Sequence, residues 1–188
     1  MTVVQRPMAV PVEVLTFEGL YRDLHRPLAR FVLNSVRDAQ DAEDICQEVW
    51  TRVDAGLYEL REPAAARTWV YRIARHAIVD AVRRRSRRPQ SVPLSIEPSA
   101  PAAADPAAAD PAVAALSRER AALAWQTLAT LPTRQRMALY LKEVEDRRYS
   151  DIAAVLDCSE SAVETLLFRA RRNFADRFSA VAENRAER

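Results

Sequence analysis

Glycine is the residue that this sequence lacks most, with only two in 188 residues. Sheets joined by tight turns draw on glycine for their positive φ angles, so this composition argues against an all-β fold. Alanine, leucine and arginine are abundant instead, and all three are good helix formers. The composition therefore favours an all-α protein.

Cysteine and histidine are also scarce. Cys46 and Cys158 stand alone, without CxxC or zinc-finger spacing, which predicts inert core thiols rather than a disulfide framework or metal ligands. His25 and His76 lie in separate segments, and no glycine-rich phosphate loop is present. We therefore expect neither enzymatic activity nor a cofactor nor a metal.

Long apolar runs are absent too. No stretch approaches the roughly 18 apolar residues of a membrane span. The N-terminus has no basic segment followed by a continuous apolar one, as a secretory signal would. The sequence predicts a cytoplasmic protein that does not insert into a membrane.

The charge is strongly segregated, although the formal net charge is only +2. Between Arg67 and Arg88 there are eight arginines against one acid, Asp80. Val70, Ala74, Ala77 and Ala81 recur at helical spacing, so the stretch from 66 to 88 predicts an amphipathic helix ending in a basic run. Such a helix suits a polyanion that offers bases for stacking, or it is an ordinary helix with a solvated basic face.

The preceding stretch is acidic. Residues 38–54 predict a helix whose acids lie in its first turns, where the helix dipole favours them, with Gly56 placed to end it. Three readings fit its polar side: a solvated face, a docking surface for a basic partner helix, or a metal site. A metal site would also need ligands from other parts of the chain, and the sequence offers none that are evident.

Residues 1–14 contain two prolines and no period, and they predict a loose leader. A helix from Phe17 to about Ser35 follows, and Pro27 predicts a kink or break near Arg26. Proline and alanine dominate residues 89–111, where no continuous helix can form, so we expect an extended tether between two separate modules. The predicted domains are 15–88 and 112–180, followed by a tail over 181–188.

The second module carries a helix-turn-helix pattern. Thr133 is predicted to cap one helix, Ser150 a short one and Ser159 a longer one that bears surface arginines. Asp157 occupies the turn position that usually holds a glycine, and Asp visits the left-handed region more easily than most residues. A generic pair of antiparallel helices would give a similar pattern.

These parts, in this order, resemble an extracytoplasmic-function (group IV) sigma factor of bacterial RNA polymerase. DAEDICQEVWTRV resembles the core-binding helix of region 2, and ARTWVYRIARHAIVDAVRRRSRR resembles its −10 reading helix. LPTRQRMALYLKEVEDRRYSDIAAVLDCSESAVETLLFRARRNF resembles the −35 binding helix-turn-helix of region 4. The resemblance covers about residues 17–178, apart from the linker.

The resemblance implies two small helical domains and a factor that directs promoter recognition and opening in a stress or envelope response. Its implied partners are core polymerase (the β′ and β subunits), promoter DNA and an anti-sigma factor. The residues implied to bind core polymerase are Asp41, Asp44, Gln47 and Glu48. Those implied to bind the −10 element are Trp69, Tyr71, Arg72, Arg75, His76, Arg83 and Arg84. Those implied to bind the −35 element are Ser159, Ser161, Thr165, Arg169, Arg171 and Arg172.

The sequence departs from the family pattern at a few positions. His76 stands where relatives often have Asn, and Trp69 is either a base contact or plain core. Glu164, Leu166 and Leu167 stand where relatives commonly carry basic residues, which leaves the −35 preference open. Two other functions remain: a sigma-like decoy that binds an anti-sigma factor without promoter activity, and an ordinary helix-turn-helix repressor, which leaves the acidic helix and the linker unexplained.

Overall fold

A computed structural model describes residues 15–36, 38–86 and 111–186. Within those ranges the chain is helical and contains no strand, which confirms the all-α prediction. The helices are α1 (Phe17–Val36), α2 (Ala39–Gly56), α3 (Ala66–Ser86), α4 (Pro111–Thr130), α5 (Thr133–Leu139), α6 (Tyr149–Leu156) and α7 (Glu160–Ala186). The predicted leader and the predicted linker up to residue 110 lie outside the described residues.

The first module comprises α1, α2 and α3, which pack on one another around a shared apolar core. Leu20, Leu24 and Leu28 form the buried stripe of α1, at the spacing that the sequence predicts. The helix continues through Pro27, so the alternative of a break at this position is wrong. Asp38 begins α2 as its N-cap: its Oδ1 accepts from the backbone N–H groups of Gln40 at 3.0 Å and Asp41 at 3.1 Å.

The connection between α2 and α3 brings Trp69 into close contact with Gly56. Two single 3-10 turns, Leu57–Glu59 and Pro63–Ala65, form this connection. A Cβ atom at Gly56 would lie 3.0 Å from Cζ2 of Trp69, so the indole ring rests directly on this backbone. The contact fixes the start of α3 against the end of α2.

The second module comprises α4 to α7, and its α6–turn–α7 segment is the predicted helix-turn-helix. Asp157 adopts the left-handed conformation expected of it, with φ 54°. Ser159 caps α7 by accepting from the backbone N–H of Ala162 at 3.2 Å. Two predicted caps are wrong: Thr133 is the first residue of α5 rather than its cap, and α6 begins at Tyr149, before Ser150.

The structure also shows how the helices of the second module end. After α5 the chain continues as a π-helical turn, Tyr140–Val144. The last helix, α7, runs to Ala186 and so includes most of the predicted tail over 181–188. Good helix formers fill that segment, with no proline or glycine to end it.

The two modules pack against each other, whereas the proline-rich linker suggested separate bodies. The ring of Phe31 lies 5.1 Å from that of Tyr71 and 5.7 Å from that of Tyr140, between centroids, and Tyr140 lies 6.3 Å from Trp125. Phe31, Tyr71 and Tyr140 are almost completely buried. These rings join α1 and α3 to the second module, so the buried apolar residues form one continuous core.

Three side chains that lose a proton at high pH, the buried Tyr71 and Tyr140 and the half-buried Cys46, predict a loss of stability there. Burial, together with the charge of Glu43, raises the pKa of Cys46 from 9.0 to about 11. Burial also raises the pKa of Tyr71 and Tyr140 well above the ordinary 10.0. Because folding keeps each group neutral, its contribution to stability is complete below the unfolded pKa and is lost as the pH rises through the folded pKa.

We therefore expect the urea midpoint to hold steady up to about pH 9 and then to fall by roughly 0.5–1 M towards pH 11. Equilibrium unfolding followed by circular dichroism measures it. The double variant Cys46→Ala/Tyr140→Phe removes two of the three titrating groups, so its midpoint should fall less. A wild-type midpoint that is constant from pH 8 to pH 11 would contradict the prediction.

Candidate nucleic-acid and protein interfaces

The polar side of α2 divides into exposed and paired acids. Asp44 is exposed and accepts only a 3.3 Å hydrogen bond from Nε2 of Gln40, and Gln47 is exposed beside it. Glu48 is less free, because its Oε1 lies 2.5 Å from Nη2 of Arg52, one helical turn later. Asp44 and Gln47 are therefore the two predicted core-binding residues most available to a partner.

Asp41 forms an ion pair with Arg85 at the end of α3. Nη1 of Arg85 lies 3.0 Å from Oδ2 of Asp41 and 3.5 Å from Oδ2 of Asp38. All three side chains are partly exposed, so the ion pairs add little stability. They nevertheless place the acidic start of α2 beside the basic end of α3. Arg85 was not among the predicted site residues, since only the structure brings it to α2.

Four of the seven residues predicted to bind the −10 element lie on exposed parts of α3. These are Arg72, His76, Arg83 and Arg84. Arg72 and Arg83 lie on one face of the helix, about three turns apart, and a guanidinium binds phosphate oxygens in a fork, so the face suits contacts to a phosphate backbone. Trp69 is half-buried on Gly56, which agrees with the reading of this ring as part of the packing.

Tyr71 and Arg75 instead face the second module. Tyr71 is 1% exposed, and the guanidinium carbon of Arg147 lies 5.7 Å from its ring centroid. Nη2 of Arg75 is 2.5 Å from Nε2 of His76 and 3.9 Å from Oδ2 of Asp157 in the turn of the helix-turn-helix. Neither Tyr71 nor most of Arg75 can touch DNA in this arrangement.

Buried polar atoms without a hydrogen bond cluster at the same contact. Among the described residues they include Nε of Arg75 and Nη2 of Arg147. Nη2 of Arg147 is still 3.9 Å from a carboxylate oxygen of Glu145. A buried polar atom left unpaired costs about 1–3 kcal/mol, so the contact between the modules is less favourable than its apolar area suggests.

The outer side of α7 carries most of the residues predicted for the −35 element. Ser161, Thr165, Arg169 and Arg172 are exposed and recur at the spacing of one helix face. The Thr165 hydroxyl donates to the Ser161 carbonyl at 3.1 Å. Arg171 lies apart from them, because its Nε and Nη2 donate to Oε1 of Glu143 at 3.1 and 2.8 Å.

Three residues of α7 depart from the family pattern, and they lie in different surroundings. Leu167 is completely buried and Leu166 half-buried, so both belong mainly to the packing of the module. Glu164 is exposed, beside Thr165 on the face that would approach DNA. Of the three, Glu164 is the residue that bears directly on −35 recognition.

The described ranges contain neither a cluster of metal ligands nor a membrane-spanning helix. No three His, Cys, Asp or Glu side chains in these ranges converge to hold a metal ion. None of the helices described is long and apolar enough to cross a membrane.

Family models match both modules. Residues 20–88 match the model "Sigma-70 region 2", and residues 121–174 match the model "Sigma-70, region 4". A region 2 module followed by a region 4 helix-turn-helix defines a sigma-70-type transcription initiation factor. Individual relatives show which group of sigma-70-type factors the chain belongs to.

RNA polymerase sigma-H factor of Pseudomonas aeruginosa is 34% identical over 158 residues, which cover 82% of each chain. ECF RNA polymerase sigma-E factor of Escherichia coli K12 is 31% identical over 134 residues, or 70% of each chain. The chain belongs to the extracytoplasmic-function sigma factors of RNA polymerase.

Two solved structures share the fold. The sigma factor RpoE from Bartonella quintana, in complex with the anti-sigma factor NepR, has a TM-score of 0.67 at 19% identity over 87% of this chain and 96% of its own. CnrH, in complex with the cytosolic domain of CnrY, has a TM-score of 0.60 at 24% identity over 87% of this chain and 88% of its own. At this identity the likeness concerns the fold alone.

Proposed function

We propose that this sigma factor binds core polymerase, through the β′ and β subunits, with the polar face of α2 contacting a basic helix of β′. Asp44 and Gln47 form the exposed centre of that face, with Asp41 and Glu48 at its sides. Charge complementarity of this kind speeds encounter and fixes the register of two helices.

The exposed face of α3 is proposed to read the −10 element. Arg72, Arg83 and Arg84 contact phosphates, and His76 lies between them near the bases. The turns between α2 and α3 receive a base flipped out of the stack, an event that costs a few kcal/mol and rewards a good fit. Trp69 supports the start of this segment through its packing on Gly56.

The exposed face of α7 is proposed to bind the −35 element. Arg169 and Arg172 contact phosphates, while Ser161 and Thr165 lie near base edges, where hydroxyls donate or accept. Ser159 holds the start of the helix through its cap, and Arg171 holds α7 to Glu143. Glu164 disfavours close approach of phosphate and so restricts the sequences that fit.

Both elements of one promoter cannot be bound in the arrangement seen here. Positions −10 and −35 are about 25 base pairs apart, or roughly 85 Å at 3.4 Å per base pair. In the structure α3 packs directly on α6 of the helix-turn-helix. The modules must therefore separate when the protein engages a promoter, and the linker between them permits this.

An anti-sigma factor is the proposed regulator, acting in the cytoplasm within a stress or envelope response. One structural relative, RpoE from Bartonella quintana, was solved in complex with the anti-sigma factor NepR. A groove of about 180 Å³ at the contact between the modules offers apolar surface with arginines at its rim. The residues that line it are Arg75, Val79, Val82, Arg83, Thr133, Arg134, Met137 and Leu156.

The observation that carries the proposal is the placement of an exposed acidic helix and two exposed basic helix faces on one chain. Run-off transcription with purified core polymerase, with and without the protein, on its own upstream DNA tests it. We expect a transcript that depends on the protein. The absence of such a transcript would favour the decoy or the repressor, and binding to DNA without core would single out the repressor.

A further inference from the structure

Lys142 is the only lysine in the chain, and its ammonium group contacts the turn that follows the π-helical segment. Nζ donates to Oδ1 of Asp146 at 2.9 Å and to the carbonyl oxygen of Arg147 at 3.3 Å. The ring centroid of Tyr149, the first residue of α6, lies 6.0 Å from the same nitrogen. One positive charge therefore connects the π-helical segment, the turn and the start of α6.

The turn depends on such contacts because its backbone is strained. Asp146 has φ 46°, a left-handed conformation that is unfavourable for a residue with a Cβ atom. The backbone N–H of Arg147 closes the turn by donating to the carbonyl of Leu141 at 2.9 Å. Lys142 adds a side-chain contact to both residues of the turn, so loss of its charge favours relaxation of Asp146 to another conformation.

The same turn carries a contact to the first module. The guanidinium carbon of Arg147 lies 5.7 Å from the ring centroid of Tyr71 in α3. A cavity of about 10 Å³ adjoins this pair and is lined on the side of α3 by Thr68 and Tyr71, so the packing here is incomplete. A shift of the turn would move Arg147 away from Tyr71. Lys142 thus acts on the contact between the modules without touching the first module itself.

We propose that Lys142 is an acetylation site, and that acetylation shifts the protein towards the separated modules that promoter binding requires. The second part rests on the proposed function. Acetylation removes the positive charge, whereas methylation keeps it, so only acetylation abolishes the ion pair with Asp146. The side chain of Lys142 is 27% exposed and that of Asp146 is 93% exposed, so a small donor can reach the nitrogen.

An acyl phosphate, acetyl phosphate, is the donor that the surroundings favour. Arg148 is exposed directly after the turn and attracts a small anion to this part of the surface. The neutral amine of Lys142 attacks the carbonyl carbon, the new C–N bond forms, the C–O bond to the phosphoryl group breaks, and inorganic phosphate leaves. Oδ1 of Asp146, 2.9 Å from the nitrogen, accepts the proton that the nitrogen loses.

Incubation of the full-length protein with acetyl phosphate, followed by mass spectrometry of the peptide that contains Lys142, tests the site. We expect acetyl-lysine to accumulate there, and Asp146→Asn to slow the reaction by at least about threefold, because the amide cannot accept the proton. Asparagine also tolerates the left-handed conformation, so this variant keeps the turn. An unmodified Lys142, or a rate in Asp146→Asn equal to or above that of wild type, would overturn the proposed site.

The conformational effect is tested by a matched pair of variants. Lys142→Gln carries the neutral amide of acetyl-lysine, and Lys142→Arg keeps the charge. Lys142→Gln should enlarge the radius of gyration in small-angle X-ray scattering and raise the affinity for a single-stranded −10 oligonucleotide about threefold, the scale of one partly exposed ion pair, whereas Lys142→Arg should resemble wild type. Thermal melts identify a variant whose fold is affected.

The two readouts separate the inference from the proposed function. If Lys142→Gln matched Lys142→Arg in both scattering and affinity, the conformational role of Lys142 would be refuted while the proposed function stood. A larger radius of gyration without tighter binding of the oligonucleotide would support that role and count against the proposed reading of the −10 element by α3.

Discussion

The double variant Asp44→Arg/Glu48→Arg is expected to lose at least about 100-fold in affinity for core polymerase and to give no run-off transcript. Asp44 is exposed at the centre of the acidic face, and Glu48 follows one turn later. Exchanging two acids for two bases removes attraction to a basic partner helix and adds repulsion. A close charge pair at an interface is worth about 1.5 kcal/mol or more, so two reversals together exceed a hundredfold.

The reversal also has a local effect that must be separated from binding. Glu48 pairs with Arg52 at 2.5 Å, and an arginine at position 48 would repel it along the helix by a few tenths of a kcal/mol. A thermal melt measures this small loss. Association at low and at moderate salt measures the electrostatic part, because the wild-type affinity should fall with salt more steeply than that of the variant.

The matched control reverses two acids elsewhere. Asp176→Arg/Glu183→Arg changes the net charge by the same amount on the exposed side of α7, away from α2. It should bind core polymerase within about threefold of wild type, since only long-range attraction changes. If the Asp44/Glu48 variant bound as tightly as this control at moderate salt, the acidic face would have no part in docking.

Local patterns in the sequence were sufficient for the helices and for much of the site. The buried stripe of α1, the Ser159 cap and the left-handed Asp157 all follow from residue spacing and turn chemistry. The exposed arginines of α3 were predicted from periodicity. These features depend on neighbours within about a turn of helix, which is the range over which sequence patterns are informative.

Features that depend on contacts distant in sequence were missed. Periodicity places Tyr71 near the start of a basic helix, but only the fold shows it enclosed between Phe31 and Arg147. Arg171 reads as one more surface arginine until Glu143 is seen beside it. Composition showed that the linker is unsuited to a core, yet it carries no information on whether the modules at its ends pack together.

Arg136 has a role that no pattern in the sequence reveals. It is 4% exposed in α5, although arginine is almost never buried unless its donors are satisfied. Nη1 donates to the carbonyl of Ala129 at 2.7 Å, and Nη2 donates to the carbonyl of Ser35 at 2.7 Å. One guanidinium thus satisfies carbonyls near the ends of α4 and α1, one in each module.

Arg136→Met is expected to separate the two modules. Methionine fills a similar volume but leaves the buried carbonyl of Ser35, in the other module, without this donor, at about 1–3 kcal/mol. The contact between the modules already contains buried atoms of Arg75 and Arg147 that lack a hydrogen bond. A loss of this size should shift the closed arrangement towards an open one, visible as a larger radius of gyration in small-angle X-ray scattering.

Separation should also release the reading face of α3. If only the open form binds a single-stranded −10 oligonucleotide, the apparent affinity rises with the open fraction, by up to about thirtyfold for a 2 kcal/mol shift. Arg177→Met is the control, because Arg177 donates to the Thr130 carbonyl at the end of α4 without reaching the first module. It should leave scattering and affinity unchanged. If Arg136→Met behaved like this control, the modules would be held together by their apolar contact alone, and the Arg136–Ser35 hydrogen bond would be incidental.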